Sequence, residues 1–206
     1  MTDRSIDLSR YLAFEGVEGA GKSSVASAIA ERIARSGADV VRVREPGGTP
    51  VGERVREILL SGEVHPLPRA EAALFAAARA QLVSEVVIPA LETGAWVISD
   101  RSAYSSLAYQ AGGRGLPLDE VFQLNDMALG GIWPSKVVLL RVGTADGLAR
   151  QSDPDRIGGE TEAFFDTVVG TFDALAEAEP DRFIVVDATQ RLDVVISEVA
   201  DGLGLA

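Results

Sequence analysis

The stretch "FEGVEGAGKSS" (residues 14–24) places three glycines and a lysine between an apolar run and an amphipathic pattern. Within it, residues 16–23 match G-x-x-x-x-G-K-S, whose glycines let backbone N–H groups turn inward around a phosphate. Lys22 adds a mobile positive charge for the outer phosphates, and the hydroxyl of Ser23 is placed to ligate Mg²⁺. The motif follows a predicted strand and opens a predicted helix, as this mechanism requires. We therefore interpret it as the phosphate-binding loop of a nucleotide site.

Short apolar runs rich in β-branched residues alternate with helical patterns along the chain. Alternation of this kind predicts a parallel sheet with helices on both faces, and ligands bind beyond the carboxyl ends of its strands. The motifs that begin at Gly16, Glu45 and Asp100 each follow a predicted strand directly, so we expect them to converge at one edge. The predicted strands are residues 11–16, 38–45, 95–100, 136–142 and 182–188.

Length and composition indicate a single globular domain. The chain has 206 residues, of which 47% are apolar, and it shows no internal repeat or linker. We expect a polar leader at residues 1–10 and one domain at residues 11–206. The polar, turn-rich segment "RQSDPDRIGGE" (residues 150–160) is predicted to be a mobile lid.

Charge and residue usage exclude several classes of function. The net charge of -12 disfavours broad electrostatic binding to nucleic acid or to an acidic membrane. The chain has no cysteine and a single histidine, His65, which excludes thiolate and multi-histidine metal sites. The first ten residues do not form a secretory signal, and no run approaches the roughly 20 apolar residues of a membrane span. We expect a cytoplasmic protein without nucleic-acid or membrane partners.

Four further motifs narrow the function: "REPGGT" (44–49), "LFAAARAQ" (74–81), "DRSAYSSLAYQ" (100–110) and "DPDR" (153–156). The chain lacks the N-K-x-D sequence with which GTPases read guanine. Together with the phosphate loop, the ordered set resembles the bacterial thymidylate kinases, from about residue 11 to the last helix. The resemblance implies a P-loop kinase fold, with a five-stranded parallel sheet flanked by helices and a short lid. It also implies a homodimer that transfers the γ-phosphate of ATP to dTMP.

The resemblance also implies which residues bind ATP and its metal ion. Ser23 would ligate Mg²⁺ directly, and Glu18 would do so through water. The residues expected to bind ATP are Gly16, Val17, Glu18, Gly19, Ala20, Gly21, Lys22, Ser23 and Ser24.

Phosphoryl transfer to a monophosphate needs cations and no general base, because the attacking phosphate oxygen is already anionic. By resemblance, Arg101 would reach between the donor and acceptor phosphates. Members without an arginine inside the phosphate loop supply one from the lid, so Arg150 or Arg156 would act in the transition state, and we favour Arg156. The expected catalytic residues are Lys22, Arg101, Arg150 and Arg156.

For the acceptor, the resemblance implies that Phe75 stacks on thymine and that Arg79, one helical turn later, hydrogen-bonds the edge of the base. Tyr109 would sense a 2′-hydroxyl and so favour deoxyribose. The full set expected to bind dTMP is Glu18, Arg44, Glu45, Pro46, Phe75, Arg79, Arg101, Ser105, Ser106, Tyr109 and Gln110.

Some alternatives remain open at this point. Phe75 also fits a core position, and Arg101 also fits a surface pair with Asp100. The lid is short and carries Gly158 where the family usually has glutamate, and Phe172 stands where tyrosine is common. "DRS" (100–102) is also similar to deoxynucleoside kinases, which would use Glu45 as a base on a nucleoside hydroxyl. An ATP-binding, switch-like protein without transferase activity is the other alternative.

Overall fold

The computed structural model describes residues 6–151 and 154–205. Five parallel strands form one sheet in the order β2-β3-β1-β4-β5, so the phosphate-loop strand is central. All five predicted strands are confirmed, and the α/β class with them. The strands are β1 (Tyr11–Glu15), β2 (Val40–Arg44), β3 (Trp96–Asp100), β4 (Lys136–Arg141) and β5 (Phe183–Asp187).

Helices cover both faces of the sheet and supply most of the side chains packed against it. The helix α7 immediately before the lid was not predicted from the sequence. The helices are α1 (Lys22–Arg35), α2 (Pro50–Leu60), α3 (Pro68–Leu82), α4 (Ile88–Glu92), α5 (Ala103–Ser106), α6 (Leu118–Leu129), α7 (Thr144–Ala149), α8 (Glu162–Ala178) and α9 (Leu192–Gly202). Two π-helical segments, Val83–Val87 and Leu107–Gly113, follow α3 and α5.

The strand register brings the predicted motifs together at the carboxyl edge of the sheet. Phe14 pairs with Asp100, and Arg44 pairs with Asp100 on its other side. The loops after β1, β2 and β3 therefore leave the sheet at the same level. This convergence is what a parallel sheet imposes on motifs that follow successive strands.

The stretch Pro68–Glu92 is continuous, with Pro89 in the first turn of α4 rather than at a break. It is long and apolar enough to cross a membrane by length and composition alone. Against that reading, 44% of its most apolar window is buried in the fold, and Glu71 and Arg79 are buried along it. We interpret it as a core helix of a folded domain.

The expected leader and lid are only partly described. Residues 1–5 of the leader and residues 152 and 153 of the lid lie outside the described residues. Ile6 and Leu8 pack against the core beside β1, and the side chain of Arg10 donates to the carbonyl oxygen of Gly94. Residues 6–10 therefore contact the fold rather than extend from it.

Candidate active site

The loop between β1 and α1 has the backbone that its glycines predict. Gly16, Gly19 and Gly21 have φ angles of 137°, 74° and 88°, which L side chains rarely adopt. A Cβ on Gly16 would lie 2.5 Å from the carbonyl oxygen of Leu140. Val17 and Ala20 turn their side chains into the core, and neither residue lines the cavity. Ser24 is exposed in the first turn of α1 and does not line the cavity.

Lys22 folds back over this loop. Its Nζ donates to the carbonyl oxygens of Gly16 at 3.0 Å and Val17 at 2.8 Å. Burial, reinforced by the nearby positive charge of Arg101, lowers the pKa of Lys22 to about 8. The amine is held at the loop, where an incoming polyphosphate would replace two carbonyl partners with charged ones.

The hydroxyl of Ser23 contacts Asp100, which was not predicted from the sequence to be a site residue. The Ser23 hydroxyl donates to Oδ2 of Asp100 at 2.5 Å, across the ends of β1 and β3. A hydroxyl beside a carboxylate is a hard oxygen donor set, which is what Mg²⁺ prefers in nucleotide sites. These two residues therefore fit a magnesium ion, with Glu18 on the wall of the same cavity. The missed signal was an acid at the end of a strand next to the phosphate-loop strand.

Arg101 lies between the phosphate loop and the first turns after β3. Its φ of 70° is unusual for a non-glycine residue. NH2 donates to Glu18 at 2.7 Å, and NH1 reaches the carbonyl oxygen of Gly16 at 3.3 Å and the hydroxyl of Ser105 at 3.2 Å. Tyr109 donates to the other oxygen of Glu18 at 2.6 Å. The alternative of a surface pair between Arg101 and Asp100 is not what the structure has.

This cluster keeps Glu18 charged. Burial opposes ionisation, but the charges of Arg101 and Lys22 and the hydrogen bond from Tyr109 hold the pKa of Glu18 below its ordinary value. Burial raises the pKa of the Tyr109 hydroxyl well above its ordinary value despite Arg101, so this group is a neutral donor. The phosphate loop thus carries a carboxylate that restrains both side chains.

A buried carboxylate below the cluster, Glu15, was also missed by the sequence analysis. It accepts from the backbone N–H groups of Ser102 and Ser105, at 2.7 and 3.1 Å, and from their hydroxyls, at 2.7 and 2.6 Å. These contacts fix the segment that carries Arg101. The signal was a glutamate inside an otherwise apolar strand, since such a group needs partners when buried.

A cavity of about 480 Å³ opens from the phosphate loop toward β2 and α3. Four arginines line it: Arg44, Arg56, Arg101 and Arg150. Arg56 was not predicted, because it lies within α2 outside any motif. Its NH1 donates to the carbonyl oxygen of Pro46 at 2.9 Å. Burial and the positive charge of Arg44 lower the pKa of Arg56, although Glu53, which accepts from Arg44 at 2.8 Å, opposes the shift.

The cavity wall away from the loop is formed by the residues expected to hold the base. It includes Phe75, which is half-buried, and also Ser105, Ser106, Tyr109, Gln110, Glu45 and Pro46. The side chain of Phe75 is therefore available to the cavity, although it also contacts the core.

Arg79 lies behind this wall rather than on it. Its Nε donates to Glu45 at 2.6 Å, and its other nitrogens reach the hydroxyl of Ser106, the carbonyl oxygen of Ser102 and the side chain of Asn125. Burial raises the pKa of Glu45 despite Arg79. In this structure Arg79 supports the cavity wall from behind, through Glu45 and Ser106. Direct contact between Arg79 and a base stays a prediction.

The two lid arginines lie in different places. NH1 of Arg150 donates to the carbonyl oxygens of Ala188 at 3.1 Å and Gly19 at 3.4 Å, so it lines the cavity at the phosphate loop. Arg156, favoured from the sequence for the transition state, instead donates to the carbonyl oxygen of Leu59 at 2.8 Å and to Glu71 at 2.6 Å. The described structure does not bring Arg156 to the phosphate loop, because a buried carboxylate holds it on α3.

The two departures from the family pattern have local explanations. A Cβ on Gly158 would lie 2.6 Å from Oε1 of Gln151, the movable end of a side chain, and 3.4 Å from backbone atoms of Pro154 and Asp155. Phe172 is buried and packs edge-on against Tyr109, with ring centroids 6.3 Å apart. A hydroxyl on that ring would have to find a partner inside the core.

Comparisons with known proteins agree with this geometry. The family profile described as Thymidylate kinase matches residues 14–199. A thymidylate kinase from Alkalilimnicola ehrlichii is 41% identical over 202 residues, covering 96% of this chain and 93% of the relative. One from Deinococcus radiodurans is 45% identical over 192 residues, covering 92% and 93%. One from Staphylococcus haemolyticus is 39% identical over 195 residues, covering 93% and 95%. The chain belongs to the thymidylate kinase family.

Proposed function

We propose that this chain transfers the γ-phosphate of Mg-ATP to dTMP, giving dTDP and ADP. One observation supports the proposal beyond family membership: the phosphate loop and four arginines line the same cavity, and Arg101 contacts the loop itself. Two polyphosphates repel each other, so a site that joins them needs cations between them.

On the donor side, the backbone N–H groups of residues 16–24 and the amine of Lys22 would bind the phosphates of ATP. Ser23, with Asp100 beside it, would hold Mg²⁺, and Glu18 would contact its water shell. When bound, the metal ion would neutralise charge on the outer phosphates. The short Ser23–Asp100 contact supports the placement of the metal here.

On the acceptor side, Arg44, Arg56 and Arg101 would bind the phosphate of dTMP, and Glu45 and Pro46 would shape its pocket. Phe75 would stack on thymine, and Ser105, Ser106, Tyr109 and Gln110 would contact base and sugar. Arg79 would act mainly by supporting Glu45 and Ser106. No general base is assigned, because the attacking oxygen is already ionised.

The lid would complete the site. We assign the transition-state contact to Arg150, because it already lies at the carbonyl oxygen of Gly19. Arg156, expected from the sequence to do this, would have to leave Glu71 to reach the phosphates. Closure of the lid would exclude water and limit hydrolysis of ATP.

Neither alternative is favoured. A deoxynucleoside kinase would use Glu45 as a base; Oε2 of Glu45 is bonded to Arg79 at 2.6 Å, and family membership favours a phosphate acceptor. A switch-like ATP-binding protein would not need a cavity in which arginines extend beyond the phosphate loop toward β2 and α2.

We also propose a single-domain cytoplasmic enzyme that works as a homodimer, without nucleic-acid or membrane partners. Residues 104–111 are largely buried within the chain and offer little surface to a partner. Helix α6 exposes Leu118, Phe122 and Met127, so it is the better candidate.

The test is ADP release from Mg-ATP with dTMP, thymidine, dUMP, dCMP or no acceptor. Strong release with dTMP and little with thymidine is expected. Stimulation by thymidine instead would move the reaction to a hydroxyl, and ATP binding without stimulation by any acceptor would favour the switch-like alternative.

A further inference from the structure

The buried carboxylate of Glu71 has no assigned role in the reaction, yet it contacts both the cavity wall that carries Gln110 and the lid. Glu71 lies on α3, one helical turn before Phe75, and is 1% exposed. It accepts from Nε2 of Gln110 at 3.0 Å, from Nε and NH2 of Arg114 at 3.0 and 3.2 Å, and from NH2 of Arg156 at 2.6 Å. Both oxygens are therefore bonded to donors.

Glu71 is ionised at neutral pH. Burial opposes its charge, but hydrogen bonds from Arg114, Arg156 and Gln110 hold the pKa of Glu71 below its ordinary value. An ionised carboxylate only accepts hydrogen bonds. The amide of Gln110 must therefore turn its NH₂ group toward Glu71.

This orientation decides what Gln110 offers to the cavity. With its nitrogen on Glu71, the amide directs its oxygen away from α3. No donor within residues 6–151 and 154–205 bonds that oxygen, and Gln110 lines the cavity together with Phe75. The wall therefore presents a hydrogen-bond acceptor beside the ring on which a base would stack.

We propose that Glu71 is a positioning residue for base selection: by fixing the amide of Gln110, it makes the cavity accept the N3–H of thymine and reject cytosine. Thymine carries a donor at N3, whereas cytosine carries an acceptor there. An acceptor facing an acceptor leaves two desolvated groups without partners, which is costly. The inference rests on the proposed function, since it concerns the acceptor of the same reaction.

The same carboxylate anchors the lid, so the test must separate the two roles. Arg114, which bonds Glu71, also donates to Glu160 at 2.5 Å. Glu160→Gln therefore neutralises a carboxylate on the same arginine but leaves the contact between Glu71 and Gln110 in place. It is the matched control for Glu71→Gln.

The experiment measures kcat/KM for dTMP and for 5-methyl-dCMP in the wild type, Glu71→Gln and Glu160→Gln. The two acceptors share the methyl group and differ only at positions 3 and 4 of the base. In Glu71→Gln a neutral amide lets Gln110 turn either way, so we expect the preference for dTMP to fall by about tenfold or more. Glu160→Gln should keep the wild-type preference.

Two further variants keep the inference falsifiable. In a Gln110→Ala background, Glu71→Gln should change the preference no further, because its effect acts through Gln110. Glu71→Asp keeps the negative charge but draws the carboxylate back by one methylene group, which lengthens its contacts with Gln110 and with the arginines, so the preference should fall even if Glu71→Gln does not fold. An unchanged preference in the variants, or a further fall in the Gln110→Ala background, would overturn the role of Glu71. A wild type that does not phosphorylate dTMP would overturn the proposed function itself.

Discussion

The phosphate loop and the lid reach the same cavity but are held in different ways. The loop is tied to the sheet, and its partner segment is fixed by four hydrogen bonds to the buried carboxylate of Glu15. The described lid is held by arginine contacts to backbone carbonyls and to Glu71. The backbone that carries Lys22 and Arg101 is therefore fixed by the fold before binding, whereas the position of the lid itself depends on contacts that substrates can exchange.

We expect the largest loss of turnover from a substitution at Arg101, which contacts the phosphate loop. Arg101→Ala should lower kcat by about 10³-fold or more, because it removes the cation between the two substrates. Steady-state ADP release with dTMP measures this, and a melting curve checks the fold. Arg54→Ala is the control, since Arg54 is exposed and pairs with Glu57 on the surface. Near-normal turnover in Arg101→Ala would contradict the assignment.

The next effect compares two arginines within the lid. Arg150→Ala should lower kcat by about 10²-fold, the usual loss for one donor to a transition state. Arg156→Ala should lower kcat less, by about tenfold, since it would loosen the lid without removing the donor. Parallel measurements of kcat and KM for both variants test the order. A larger loss in Arg156→Ala would mean that this arginine leaves Glu71 during the reaction.

The pH dependence of kcat/KM for ATP should report the charge of Lys22 in the phosphate loop. The pKa of Lys22 is about 8 in the free protein, so its charge is lost as the pH rises above that value. We expect kcat/KM for ATP to fall above about pH 8, by up to about tenfold per pH unit. Melting curves across the same range exclude unfolding as the cause. A flat profile through about pH 10 would show that the amine keeps its charge.

The smallest effect concerns the anchor of the lid. The pKa of Glu71 in the fold lies below its ordinary value of 4.5, so its ionised form stabilises the folded state. This stability is present above pH 4.5 and is lost as the pH falls through the lowered pKa. As the pH falls, the free energy of unfolding measured in urea should therefore decrease more for the wild type than for Glu71→Gln. Equal pH dependence in the two proteins would contradict the charge assigned to Glu71.

The phosphate loop and the sheet could be predicted from the sequence, whereas the contacts of the lid could not. The five strands and the phosphate loop were predictable because apolar periodicity and a fixed motif act over short distances. Arg156 and Glu71 are 85 residues apart, and only the folded chain brings them together. Arg56 belongs to no motif, and only the folded chain shows that it lines the same cavity as Arg44, Arg101 and Arg150. Glu15 was visible but was interpreted as part of an apolar strand.

The strand order has a consequence for how the site is divided about the central strand. The acceptor loop follows the edge strand β2, whereas the lid and the residues around Ala188 follow β4 and β5 on the other side of the central strand. The acceptor-facing residues after β2 and β3, including those on α2 and α3, therefore lie on one side of the central strand, and the lid and the residues around Ala188 lie on the other.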